Sequence, residues 1–501
     1  MANIKSLAKD SVIYGGSTIL TKTINWLATP LFAYTFNSES DFGMMTNLYA
    51  YGALITVILT FGLETGFFRF INQASKEKRG SVYATSLAII ISIIAVYLFI
   101  FLGFLGQIRP YLWSSRIPDS YLQMLIIILS MDVFIALPFA FLRYEKKPLR
   151  FGFFKALQAS LYILLCTFFL VVCPRINRHN PDLIRWFWNE NYCVGYVLVS
   201  NIIATGIQTL GLLLQLPKFR FAFDKQLARK MLNYCFPLML MGIAGMSNQV
   251  IDKIIFPAVY PDPGEAMRQL GLYGACFKIA VVMVVFTQAF RYAFDPFIFE
   301  KGKETDAKQS YSTVMKYFVA IGLLVFLGVT FYIDLIKHIF VPPRYFVALP
   351  VVPIVLMGEL FFAVYYNLSV WYKLTDKTWW GSIFSCAGFV VIIALNLIFI
   401  PGYSYMACAW ASFAGNLFMM LLSYFIGQKY YPVRYDLKTL FLYTGLAMAL
   451  YCIAVFTPVE HLGLRLAFRT VLICIYLFVL FRRDLKSVRN SPIHKSISHK
   501  V

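Results

Sequence analysis

Runs of about 20 mostly apolar residues recur from one end of the chain to the other, and no other feature constrains its fold as strongly. A helix crossing a bilayer needs about 20 such residues. Only helices and closed barrels satisfy every backbone N–H and C=O in lipid. With Pro, Gly and charge clusters taken as ends, fourteen runs fit, from 11–34 and 43–69, through 231–256 and 270–297, to 463–481. Composition agrees: 59% of the 501 residues are apolar and 14% charged, against about 25% charged in a soluble domain. No polar half stands apart as a soluble domain. The expected fold class is all-α, a polytopic membrane protein of about 14 transmembrane helices, its even count placing both termini on one side. The first run is long enough to stay as a span, so a cleavable signal peptide is not expected.

The net charge of +21 raises the question of nucleic acid, and the position of the charges answers it. With both termini inside, Lys and Arg alternate loop by loop and favour the inner side by about three to one. Inner segments hold Arg143, Lys146 and Lys147, whereas outer ones hold isolated residues such as Arg109 and Arg344. Topology and anionic lipid headgroups therefore account for the charge, and no nucleic acid partner is implied. The longest loop, near 173–189, has room for a short surface helix and not for a catalytic domain. There is no GxxxxGK[ST] phosphate loop, and the five His lie in loops, at span ends or in the tail, leaving no zinc pair. The nine Cys read as small buried hydrophobes. Glu39-Ser40-Asp41 resembles an acidic metal-holding pair, but its place before Phe42-Gly43 reads better as a helix cap.

Charges inside the spans carry the functional signal. Each costs roughly 2.5 to 3.5 kcal/mol at the bilayer centre. Lys22, Asp132 and Glu359 fall near the middle of the first, fourth and tenth spans, and Lys278 in the outer third of the eighth. Facing lipid, the four would together cost on the order of 10 kcal/mol, comparable to a fold's net stability. A polar interior is expected. Lys22, Asn25, Trp26 and Thr29 share one helical face at i, i+3, i+4 and i+7. Asn248, Gln249 and Asp252 form a second polar face on the seventh span, and Gln288, Arg291 and Asp295 a third on the eighth. Arg291 and Asp295 either line a cavity or pair with each other, and Lys155 and Arg469 are expected to snorkel to headgroups. Asp132 and Glu359 are either ion-pair partners of the intramembrane cations or functional carboxylates. Glu64, near the inner end of the second span, is an interfacial ion-pair partner or a gate residue. Pro30, Pro138, Pro237, Pro296 and Pro353 mark kinks, and Pro296 is expected to end or bend its helix.

Ser11-Val12-Ile13-Tyr14-Gly15, Phe42-Gly43 leading to Asn47-Leu48-Tyr49-Ala50-Tyr51, Gly62 through Arg69, and Ala289 through Pro296 resemble, in their order and spacing, polysaccharide flippases of the multidrug/oligosaccharidyl-lipid/polysaccharide exporter superfamily. The lipopolysaccharide and O-antigen translocase branch is the nearest, over roughly residues 5 to 430. The resemblance implies a MATE-like arrangement of two six-helix lobes around a cavity lined by spans one, two, seven and eight. The corresponding divisions are 1–216 and 217–430 for the lobes, 431–481 for two extra helices, and 482–501 for a basic cytoplasmic tail. Phe42-Gly43 and Leu270-Gly271 occupy equivalent positions of the two halves, the one trace of an internal repeat.

The resemblance further implies a transporter, not an enzyme, in the bacterial cytoplasmic (inner) membrane. It would move undecaprenyl-pyrophosphate-linked oligosaccharide by alternating access. Lys22, Asn25, Lys278 and Arg291 are the positions expected to meet the pyrophosphate. Glu64, Asp132, Asn248 and Asp252 are the candidates for ion coupling or gating, driven by an H+ or Na+ gradient. No other cofactor is expected. The implied partners are the lipid-linked glycan, membrane lipids and polysaccharide polymerase machinery. The alternatives are a cation-coupled drug exporter, expected to present an acidic cavity, and an O-antigen polymerase or ligase, expected to carry a large outer loop that is lacking here.

Overall fold

The computed structural model describes residues 2–113, 117–215, 222–301, 307–375 and 377–489, with side chains omitted at 2–13, 292–293, 295–301, 307 and 484–489. Among the described residues there is no strand. The long helices are α1 (Ala2–Leu27), α2 (Glu39–Gln73, interrupted at 61–62), α3 (Arg79–Gly103), α4 (Asp119–Tyr144), α5 (Pro148–Thr167), α6 (Cys193–Leu213) and α7 (Lys225–Val259). They continue as α8 (Pro263–Lys301), α9 (Ala307–Phe331), α10 (Val351–Leu368), α11 (Trp379–Tyr403), α12 (Tyr405–Tyr430), α13 (Leu437–Phe456) and α14 (Leu462–Arg489). Thirteen of these, α2 to α14, are long and apolar enough to cross a membrane, and α1 occupies the place of the first expected span. The chain is a multi-pass membrane protein.

Local chemistry sets the breaks. Ser38 caps α2, its hydroxyl accepting from the Asp41 N–H while the Asp41 carboxylate accepts from the Ser38 N–H at 3.0 Å, a reciprocal capping box. The first span stops at Leu27 and resumes as a short helix, Thr29–Thr35, with Pro30 in its first turn, where a missing N–H costs nothing. Phe61 and Gly62 both have positive φ, 52° and 67°, and split the second span. Glu64 then sits in the first turn of a new helix, Leu63–Gln73, where its charge suits the helix dipole. Pro296, expected to end or bend its helix, does not end it, since α8 continues to Lys301. The loop after α5 holds the short helix Cys173–His179.

Helices α1 and α3 to α6 pack chiefly within one group, α6 against α4 and α5, and α5 against α1, with α2 at its edge. Helices α7 to α12 form a second group in which α12 lies between α10 and α11, and α11 lies on α7. Helices α13 and α14 lie on α9. These are the two six-helix lobes and two added helices. The lobes meet where α2 packs along α7 and α8, and where α1 meets α8. At the α2–α8 crossing, a Cβ on Gly43 would overlap the Met267 carbonyl, and a Cβ on Gly271 would overlap the Glu39 carbonyl. Each glycine thus receives the carbonyl four residues before its counterpart, a symmetric backbone contact that only small residues permit. It falls on the two positions that carry the trace of a repeat.

Candidate functional site

The lobes enclose a cavity of about 480 Å³ near the middle of the bundle. Its two walls differ. The α1–α6 side offers neutral polar groups: Asn25 and Thr29, Tyr49 of α2, Gln158 and Tyr162 of α5, and Asn201 of α6. The α7–α12 side offers charge: Lys253, Lys278, Arg291 and Glu359, with Gln249 and Gln288. Tyr49, Tyr162 and Asn201 are linked, the Asn201 amide donating to Tyr49 Oη at 3.3 Å and the two phenols lying 3.5 Å apart.

Of the polar face expected on α8, Gln288 and Arg291 line the cavity, and Lys278, three turns earlier and expected on a different azimuth, lines it too. Among the described residues neither Lys278 nor Arg291 is paired with a carboxylate. Arg291 stacks on the Tyr366 ring at 3.6 Å, a cation–π contact that holds its guanidinium flat. Asp295, its expected partner, lies outside the described side chains. Trp26 of α1 donates to the Lys278 carbonyl at 2.6 Å, fastening the lobes beside Lys278. Asn25 lines the cavity. Lys22, one turn before it, is exposed and lies within electrostatic range of Arg291 and Lys155.

The α7 face is arranged differently from its expected grouping. Asn248 is buried, and its amide donates to the Ser385 carbonyl of α11 at 2.9 Å. Asp252 is 2% exposed and both its oxygens lie 3.0 Å from Lys253 Nζ, with Tyr273 Oη donating to it at 2.7 Å. The cavity side of α7 is instead Gln249 and Lys253, spaced i, i+4, with the Lys253 ammonium 4.1 Å from the Phe277 ring centre. That spacing was visible in the sequence. Lys253 went unrecognised because it adjoins Asp252, and adjacent helical residues ordinarily face different ways.

The remaining carboxylates separate. Glu64 forms an ion pair with Arg143 of α4, inside one lobe and away from the cavity lining. Asp132 lies within electrostatic range of Lys155, whose ammonium sits 4.4 Å over the Phe139 ring. Glu359 alone of the described carboxylates lines the cavity. Arg469, expected to snorkel, instead donates to Asp334 Oδ2 at 2.9 Å. No group of three or more metal-ligating side chains occurs among the described residues.

The Glu39 end of the molecule is sealed. Beyond the Gly43–Gly271 contact, Arg344 donates to the Ala33, Asn37 and Phe36 carbonyls at 2.6 to 3.1 Å. Glu39 lies between Arg268 and Arg344, 3.8 and 3.9 Å away. Asn47 of α2 donates to the Lys253 carbonyl of α7 at 2.8 Å. At the opposite end, Arg69 stacks on Tyr234 at 4.2 Å, and Gly66 leaves room for Cys235.

The sequence matches no protein-family model and, by sequence, no curated protein. Solved structures do resemble it. The lipid II flippase MurJ in an inward closed conformation superposes with a TM-score of 0.74 at 12% identity, covering 95% of this chain and 100% of that one. A multidrug resistance MATE family transporter of the MOP superfamily superposes at 0.66 in its inward-facing conformation, 12% identical over 84% of this chain and 97% of that one. An outward-facing MATE structure reaches 0.57 at 13% identity, over 84% and 95%. The chain has the fold that MurJ and the MATE transporters share.

Proposed function

We propose that this protein is a flippase for a lipid-linked oligosaccharide bearing an anionic phosphate linkage, of the undecaprenyl-pyrophosphate kind. The observation that carries the reading is the asymmetry of the central cavity. Lys278 and Arg291, without carboxylate partners among the described residues, face a wall of amides and phenols. Cations bind phosphate oxygens, while neutral amides and phenols suit sugar hydroxyls. A hydrophobic drug cation would be repelled by the same pair, which weighs against the drug-exporter reading. The fold shared with MurJ and the MATE transporters supports a transporter over an enzyme. The positive-inside distribution supports a bacterial cytoplasmic membrane with cytoplasmic termini, so that the sealed Glu39 end faces outward.

Transport would then proceed by parting the α2–α8 crossing at the Glu39 end. Coupling to an H+ or Na+ gradient falls most naturally to Glu359, because Asp252 is committed to Lys253 and Tyr273, Glu64 to Arg143, and Asp132 lies beside Lys155. Delivery to a polysaccharide polymerase follows from the reading. Depleting the protein and labelling lipid-linked glycans from outside the cell tests it: complete repeat units should collect on the inner leaflet. Units reaching the outer leaflet and failing to polymerise would favour the enzyme reading.

A further inference from the structure

A second cavity, of about 760 Å³, opens between the lobes near the Glu39 end, within the size range of ligand sites. One side is Tyr51 and the segment from Arg109 to Trp113, with Asp119, and the other is α7 from Ile254 to Ala258. Three features give it a chemistry. Tyr51 and Trp113 lie ring to ring at 5.2 Å, while Tyr111 is 88% exposed. Arg109 and Asp119 form an ion pair at 2.7 Å. Trp113 is 5% exposed, and its buried indole N–H has no acceptor among the described residues, which is costly for a buried donor.

Charge and polarity select the ligand. A free phosphate or lipid phosphate needs an unpaired cation, and Arg109 is held by Asp119. An organic cation needs an unpaired carboxylate, and Asp119 is held by Arg109. A lipid tail would leave the Trp113 N–H and the ion pair unsolvated. A neutral polyhydroxyl ligand suits all three features, with ring faces for its C–H surface, a hydroxyl oxygen to reach the indole N–H as the lobes part, and a charged pair that accepts and donates.

A hydrogen bond joins the lining of this cavity to that of the central one. Asn47 lines the second cavity, Lys253 lines the first, and the bond between them is the Asn47 amide on the Lys253 carbonyl. We propose that the second cavity is a carbohydrate-binding station on the far side of the seal, which takes the sugar end of the cargo as the lobes part. Its place on a transport path rests on the flippase reading; its chemistry as a sugar site does not.

The test uses the full chain in lipid nanodiscs, titrated by calorimetry with soluble tri- and tetrasaccharides of neutral, N-acetylated and uronic-acid sugars. Saturable binding is expected for at least one class. Tyr111→Ala, at an exposed position, should weaken it about tenfold, and Trp113→Phe, which keeps the ring but removes the N–H, about fivefold. No saturable binding by any class, or binding that both variants leave unchanged, overturns the site. Sugar binding with these effects, in a protein that fails to move lipid-linked glycan, would keep the station and reject the flippase reading.

Discussion

At single residues, what bears on transport is which intramembrane charges are committed to a partner and which meet the cavity. Among the described residues Lys278 and Arg291 have no carboxylate partner, so replacing either with Ala should cut glycan translocation at least tenfold with the protein still present in the membrane, measured by outer-leaflet labelling. Lys253 is committed to Asp252. Removing one partner of a buried pair leaves the other uncompensated, so Asp252→Ala should destabilise the protein by about 3 kcal/mol. Adding Lys253→Met should recover much of that, read by thermal melting in detergent as a double-mutant cycle. Equal melting of the single and double variants would mean the pair does not act as described. The sequence showed that Lys278 and Arg291 are intramembrane cations, because a span boundary and a residue type suffice for that. It did not show the Asp252–Lys253–Tyr273 cluster, which depends on how far a flexible ammonium bends back and on what α8 presents to α7.

At the scale of helices, the symmetric Gly43–Gly271 crossing brings the α2 and α8 backbones together at the sealed end. Gly43→Leu cannot be accommodated there and should drive the lobes apart. Spin labels at Asn191 and Asp262, one on each lobe, should then report a longer distance by electron resonance, whereas an unchanged distribution would place the seal elsewhere. Both glycines were legible as a faint repeat, yet their contact was not, since periodicity within one helix says nothing of which backbone it meets. The same limit explains two other differences. Phe61-Gly62 breaks α2 through positive φ that no Pro announces, and Pro296 leaves α8 running to Lys301.

For the whole molecule, the two added helices are fixed partly by charge. Asp334, after α9, is partly buried, which alone would raise its carboxyl; the hydrogen bond from Lys337 and the charges of Arg465, Lys337 and Arg469 outweigh this and hold it below the ordinary carboxylate range. A carboxyl lowered by folding lends stability that is complete above its unfolded value, near 3.9, and is lost as pH falls through the folded one. Melting temperature should therefore drop below about pH 4, and this drop should shrink in Asp334→Asn, which is itself less stable at pH 7. The fourteen helices and the charge bias between loops were legible in the sequence, because hydropathy and topology are local or additive. The joining of lobes around a one-sided cationic cavity was suggested by shared polar faces and required three dimensions to define.

The central claim is that the cationic cavity moves a glycan by its anionic lipid linkage. The most direct measurement reconstitutes the protein in liposomes with an undecaprenyl-pyrophosphate-linked fluorescent trisaccharide and follows its accessibility to an external quencher. Transbilayer equilibration is expected with the unaltered protein and its loss in Lys278→Ala/Arg291→Ala. Equilibration at the same rate in that variant, or none with the unaltered protein under any imposed H+ or Na+ gradient, would contradict that claim.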